Sequence, residues 1–423
     1  MRLAILSRAA NSGLALAAAN RVYPFSPGFN IQNVASLAKS LPSHSWEWGT
    51  ASEALLELHS PSYSVFGCRP FPVPSLRKEE VPSLDYAFQK IVLGGENSGA
   101  NQLADGDGAT GDPASLGVSA VMLGKTIPEY AAAARRMKEY LIEKAPRWEN
   151  GAISHRVEAP ELWADFVYMA PPFLAYYAVS TNDLALLQQS VEQCGRYRQV
   201  LRNPSKDDLW KHIVGPTHPD PGLWSTGNAW AAAGMTRVLA TVIRSPKSLI
   251  ASEGWRKDTV DQLTEWISEI VEGAMDAPMD QGLLRNYLDD TSDDGHGYGE
   301  ISGSSLVAAV VYRMAVLQPG VFGERHIRWA EGIRRTLGAG RDGREGDESS
   351  SSEHVTREGI ATPAVNPLDW NDTEPFTTGS PEGQNFVVMM YAAWRDCVVD
   401  TKCRAPQGYE SGDVSELKEC SGD

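Results

Sequence analysis

An all-α fold built from repeated αα-hairpins is predicted by three features of the sequence. Apolar residues recur mainly at the helical spacings of three and four, stretches of alternating β-branched residues are scarce, and the connections carry Gly, Pro, Asn and Asp. Long periodic segments taken in pairs across turn-rich connections describe hairpins rather than βαβ units. The sequence also lacks a GxxxxGK[ST] phosphate loop.

Taken in order, residues 1–40 form an N-terminal segment. Arg2 followed by the apolar run that ends at Leu14 to Ala19 reads either as a weak secretion signal or as a lead-in helix, so the chain is expected to be secreted in the first case and cytoplasmic in the second. Residues 41–400 read as one domain, with helices expected at 46–58, 116–123, 161–179, 183–201, 228–243, 255–275, 304–317, 324–337 and 384–397. A further helix starts at Thr126-Ile-Pro-Glu129, which has capping-box order with Pro just inside, and places Tyr130, Ala133, Ala134, Met137 and Leu141 on one face. The Gly-, Asp- and Ser-rich stretch 338–359 reads as a solvated surface insertion, and 401–423 as a polar tail.

Composition narrows the function. Hydrophobic residues at 42% and charged residues at 22% of 423 give an ordinary globular mixture able to bury a core. The formal net charge of −16 argues against a nucleic-acid partner, and no apolar run is long enough to span a bilayer as a helix. Cys68, Cys194, Cys397, Cys403 and Cys420 contain no CxxC, so neither a zinc site nor a disulfide scaffold is expected, although Cys397 and Cys403 are placed to pair. Acidic loops at 104–112 and 289–300 depart from EF-hand order, and we expect no metal and no cofactor.

Two segments can carry chemistry. If 161–179 is helical, Leu162, Asp165, Phe166, Met169 and Phe173 share one face, and a carboxyl on such an apolar stripe has a raised pKa that keeps it protonated as an acid. The second segment runs from Trp210-Lys-His212 to Trp224-Ser-Thr-Gly-Asn228-Ala-Trp230, where a Gly-Asn step before a helix offers backbone N–H groups and the tryptophans offer faces for sugar rings.

In order, the motifs Leu162-Trp-Ala-Asp-Phe-Val-Tyr-Met-Ala-Pro-Pro-Phe173, Trp224-Ser-Thr-Gly-Asn-Ala-Trp230, Tyr298-Gly-Glu-Ile-Ser-Gly-Ser304 and Ser380-Pro-Glu-Gly-Gln384, with Trp46-Glu-Trp48 ahead of them, resemble the unsaturated uronyl hydrolases of glycoside hydrolase families 88 and 105. The resemblance implies an (α/α)6 toroid of six helical hairpins with a cleft at one end of the inner ring. It implies acid-catalysed hydration of the C4=C5 bond of a 4,5-unsaturated uronic acid on a short oligosaccharide. By the same resemblance Asp165 is the catalytic acid and Asp112 the second aspartate. The substrate contacts are then expected among Trp46, Trp48, His155, Trp163, His212, Trp224, Thr226, Asn228 and Trp230.

One departure stands out. Relatives of the rhamnogalacturonyl type carry Arg where this chain has Thr226, and a hydroxyl cannot form a bidentate carboxylate clamp. Two alternatives follow: the same toroid acting on a non-uronate unsaturated ligand as a hydratase, isomerase or cyclase, or a carbohydrate-binding protein without turnover.

Overall fold

A computed structural model describes residues 22–250, 252–292, 295–338, 354–366, 368–406 and 409. The possible signal at the start, most of the 338–359 insertion and nearly all of the polar tail beyond 406 lie outside the described residues.

Thirteen α-helices lie among the described residues: α1 Ile31–Ser40, α2 Ser45–His59, α3 Pro82–Lys90, α4 Gly117–Leu123, α5 Pro128–Glu139, α6 Phe166–Met169, α7 Pro171–Thr181, α8 Leu184–Leu201, α9 Ser225–Arg244, α10 Glu253–Asp276, α11 Ile301–Leu317, α12 Glu324–Gly338 and α13 Pro381–Val399. Two short antiparallel pairs, Leu162–Trp163 with Ile213–Val214 and Met279–Asp280 with Leu283–Leu284, are the named strands among them.

Burial sorts these helices into two rings. Every residue of α4 is buried, as are nearly all of α2, α7, α9, α11 and α13. In contrast, α3, α5, α8, α10 and α12 bury one stripe each, the amphipathic pattern of a helix with one face in water. The buried helices pack in sequence, α2 on the turn before α4, α4 on α7, α7 on α9, α9 on α11, α11 on α13, and α13 back on α2, which closes a ring of six. Five outer helices follow their inner partners directly, and α1 packs on α13 to complete the sixth hairpin from the opposite end of the chain. The fold is therefore the (α/α)6 toroid.

Several expected boundaries shift for local reasons. The break placed at residue 40 divides one hairpin, because α1 buries Ile31, Val34, Ala35 and Ala38 within the toroid. Thr126 does not cap α5: its hydroxyl turns back to the Leu123 carbonyl, and Ile127 precedes the Pro that opens the helix. The helix α3 was not anticipated, being only nine residues long and low in apolar content. His354 and Val355, at the end of the supposed solvated insertion, are buried, with Val355 bridged to Ala361. Cys397 and Cys403 form a disulfide and Cys68 is also disulfide-bonded, so the chain uses more disulfide bonding than its cysteine spacing suggested.

Candidate active site

Inner helices α2, α9 and α13, and the turn leading into α4, present their N-terminal ends to one mouth of the ring. Trp46 lies in the first turn of α2, Asp112 opens the 3-10 turn leading into α4, Asp165 precedes α6, Trp224 precedes α9, and Glu382 lies in the first turn of α13. These residues border a cleft of about 180 Å³, together with His44, Asp107, His155, Arg156, Trp163, His212 and Trp370. Helix N-termini carry partial positive charge, which offsets part of the negative charge of Asp107, Asp112, Asp165 and Glu382 at this mouth.

The segment carrying Asp165 is not the continuous helix expected from its periodicity. Leu162 and Trp163 instead pair with Ile213 and Val214, and the helix begins only at Phe166. This places Asp165 at a strand-to-helix corner facing His212 rather than on an apolar stripe. His212 Nε2 is 3.5 Å from Asp165 Oδ2, and His212 Nδ1 is 2.9 Å from Asp220 Oδ2. Tyr287 donates its hydroxyl to the same Asp220 oxygen at 2.6 Å. Burial opposes charge on His212, but the facing carboxyl groups of Asp165 and Asp220 outweigh it and raise the imidazole above its ordinary value.

It is Asp112 whose surroundings favour the neutral acid. Burial, then the charge on Asp165, push its carboxyl up to about 8 against the lowering effect of Arg156. His155 Nε2 lies 3.8 Å from Asp112, and burial drives this imidazole down to about 4, so it stands beside the acid uncharged.

Aromatic rings frame these groups. His155 stacks on Trp163 with centroids 4.8 Å apart, Trp163 meets Trp370 edge-on at 5.0 Å, and Trp224 packs on His212 at 4.4 Å. Trp163 is held from behind by Glu161, which accepts its indole N–H at 3.1 Å and the backbone N–H groups of Thr217 and His218 at 2.6 and 2.8 Å.

Of the residues expected from sequence, Asp112, Asp165, Trp46, His155, Trp163, His212 and Trp224 come together at this cleft, whereas Trp48, Thr226, Asn228 and Trp230 do not border it. Trp48 donates to the Pro42 carbonyl and packs with Ala51, Leu55 and Tyr86. Trp230 is core, against Tyr168 and Phe386. Because α9 starts at Ser225, the Gly-Asn step lies within the helix, and Asn228 clamps the backbone N–H and C=O of Trp210 instead of offering a ligand site. Thr226 is fully buried and donates to Glu300 at 3.3 Å. Sequence reasoning missed Trp370, which lies in a loop without periodicity, and Glu382 and Asp220, whose roles depend on contacts distant in sequence.

The burial of Thr226 yields a prediction. Thr226→Arg should lower stability by about 1–3 kcal/mol through overpacking without creating a clamp at the cleft, a result that urea denaturation and ligand binding together would check.

The fold and the cleft are those of a six-hairpin helical toroid. Residues 122–331 match Glycosyl Hydrolase Family 88, which bears out the resemblance read from the motifs. The unsaturated rhamnogalacturonyl hydrolase YesR of Bacillus subtilis (strain 168) is 26% identical over 191 residues, covering 43% of this chain and 51% of that protein, so the chain spans about half the length of this relative. Among solved structures, a possible member of the GH105 family from Klebsiella pneumoniae superposes with a TM-score of 0.61 at 15% identity, covering 86% of this chain and 91% of that one. The glycosaminoglycan-degrading unsaturated glucuronyl hydrolase of Bacillus sp. GL1 gives a TM-score of 0.53 at 14% identity, covering 86% and 94%. These structural likenesses concern the fold.

Proposed function

We propose that the protein is a glycoside hydrolase that removes a 4,5-unsaturated uronic acid from short oligosaccharides. The observation carrying this reading is a pair of carboxyls in contrasting environments within one tryptophan-framed cleft, Asp112 pushed up to about 8 and Asp165 facing an imidazole 3.5 Å away. Contrasting pairs of this kind divide acid from base work.

The chemistry needs one proton and one water. The C4=C5 bond is an enol ether, so Asp112 gives its proton to C4 while water adds at C5 and passes a proton to Asp165. The hemiketal formed at C5 then opens and releases the neighbouring sugar. His212, fixed by Asp220, positions Asp165 for this step. This division gives Asp112 the proton-donor part first expected of Asp165, because burial raises the Asp112 carboxyl. The similarity to Glycosyl Hydrolase Family 88 and to an unsaturated rhamnogalacturonyl hydrolase supports the substrate class.

The test is loss of the ultraviolet absorbance of the conjugated enol ether on incubation with unsaturated uronyl disaccharides. The raised carboxyl of Asp112 sets the pH profile. On the alkaline side, activity should fall as pH rises through about 8, where Asp112 loses its proton. Absence of any loss of absorbance across pectin-, gellan- and glycosaminoglycan-derived disaccharides would refute the reading.

A further inference from the structure

Glu382 is a buried acid at the cleft for which hydration has no use. It lies in the first turn of α13, only 3% exposed, and borders the cleft that holds Asp112 and Asp165. One carboxyl oxygen accepts the Trp46 indole N–H at 3.0 Å. The other is buried without a hydrogen-bond partner. A buried polar atom left unpaired costs stability unless something completes it, and Glu382 borders the ligand cleft.

The charges around Glu382 dictate its form. The ionisable groups that face it are Asp165, Glu47 and Glu300, all acids, with His44 beyond Glu47. Burial first, and these like charges next, raise its carboxyl well above the ordinary range. A neutral carboxyl has one O–H to donate. A ligand hydroxyl both donates and accepts and would pair with either form, whereas a carboxylate only accepts and requires the neutral one. Other donors for a ligand carboxylate are few. Thr226 is buried against Glu300, and Arg156, the lysine or arginine that borders the cleft among the described residues, gives its Nε to Glu158 at 2.9 Å and stands as the second donor open to an acid.

We propose that Glu382 is a specificity-determining residue, a neutral carboxyl that donates its O–H to the ligand's carboxylate while its second oxygen holds Trp46 in place. The assignment rests on the uronate reading above and names the group that recognises the acid.

Calorimetric titration of wild type, Glu382→Gln and Glu382→Leu with galacturonate and with its methyl ester tests it. Gln keeps a donor and the Trp46 acceptor but cannot ionise; Leu keeps neither. Wild type and Glu382→Gln should prefer the acid over the ester, and Glu382→Leu should lose that preference with about tenfold or weaker binding. Rising pH should weaken galacturonate binding by wild type, as ionised Glu382 loses its donor and repels the ligand, more steeply than binding by Glu382→Gln. Equal binding by wild type and Glu382→Leu, equal weakness of Gln and Leu, or no preference for the acid in wild type would each overturn the proposal. Thermal melts establish that Glu382→Gln is folded. Turnover separates the two readings. If wild type consumes the enol ether and Glu382→Leu keeps the wild-type KM, the hydration reading stands and the Glu382 assignment fails. If the enol ether persists while acid preference follows the expected pattern, the reverse holds.

Discussion

Asp112→Asn and Asp165→Asn should each slow consumption of an unsaturated uronyl disaccharide by about 10²–10⁴-fold, the range usual for loss of a positioned acid or base. The two variants should differ in their pH profiles. Asp112→Asn removes the group pushed up to about 8, so whatever activity survives should lose its alkaline fall. Asp165→Asn leaves that proton donor in place but removes the neighbouring charge that helps raise it, so the residual activity should decline at a lower pH than in wild type. The double variant should be little worse than either single one, since groups acting on one transition state are not additive. Rate profiles from absorbance measurements across the pH range provide the check. An unshifted alkaline limb in Asp165→Asn would break the electrostatic link between the two carboxyls on which the division of roles depends.

The same pair shows what the sequence makes legible. The resemblance carried by the ordered motifs implied both aspartates and the toroid, while helix periodicity and turn chemistry, which are local properties, gave most of the helices. The environment of each carboxyl is not local. Residues 161–169 have the spacing of an amphipathic helix, yet Leu162 and Trp163 are recruited as a strand by Ile213 and Val214, fifty residues away, and Asp165 turns to His212. Tertiary pairing overrides a short periodic signal and sets Asp165 at a corner instead of on an apolar helix face. Thr226, Asn228 and Trp230 failed as contacts for a related reason. The start of α9 at Ser225 rather than Asn228 draws Thr226 into a helix packed on every side and moves Asn228 and Trp230 from its expected first turn into its buried interior. Trp370 and Glu382 reach the cleft from the last quarter of the chain, and only closure of α13 on α2 brings them to Trp46 and Trp163.

Replacing Arg237 by Met should destabilise the protein by about 3–5 kcal/mol, because it leaves buried carboxylates uncompensated. Near the C-terminal ends of the inner helices, opposite the cleft, Arg237 donates to Glu53 at 2.6 Å and also to Glu57. Arg313 joins Glu57 at 2.7 Å to Asp396 at 2.5 Å, and Arg395 holds Asp396 at 2.9 Å and the carbonyls of Glu57 and Leu58 at 2.7 Å. Three arginines thus balance three acids across α2, α9, α11 and α13, tying four of the six inner helices together below the catalytic mouth. Burial already raises Glu53 above the ordinary carboxylate range, with Arg237 opposing that rise. Without Arg237 the carboxyl rises further, and a group whose folded pKa exceeds its unfolded one costs stability only above the unfolded value. The penalty of Arg237→Met should therefore be largest at neutral pH and shrink as pH falls into the range where Glu53 binds its proton. Adding Glu53→Gln should recover part of the loss at neutral pH and little at acid pH. Urea denaturation of the three variants and wild type at both pH values measures this directly, and a pH-independent penalty would assign the loss to packing of the arginine against Tyr168 and Phe66 rather than to its charge.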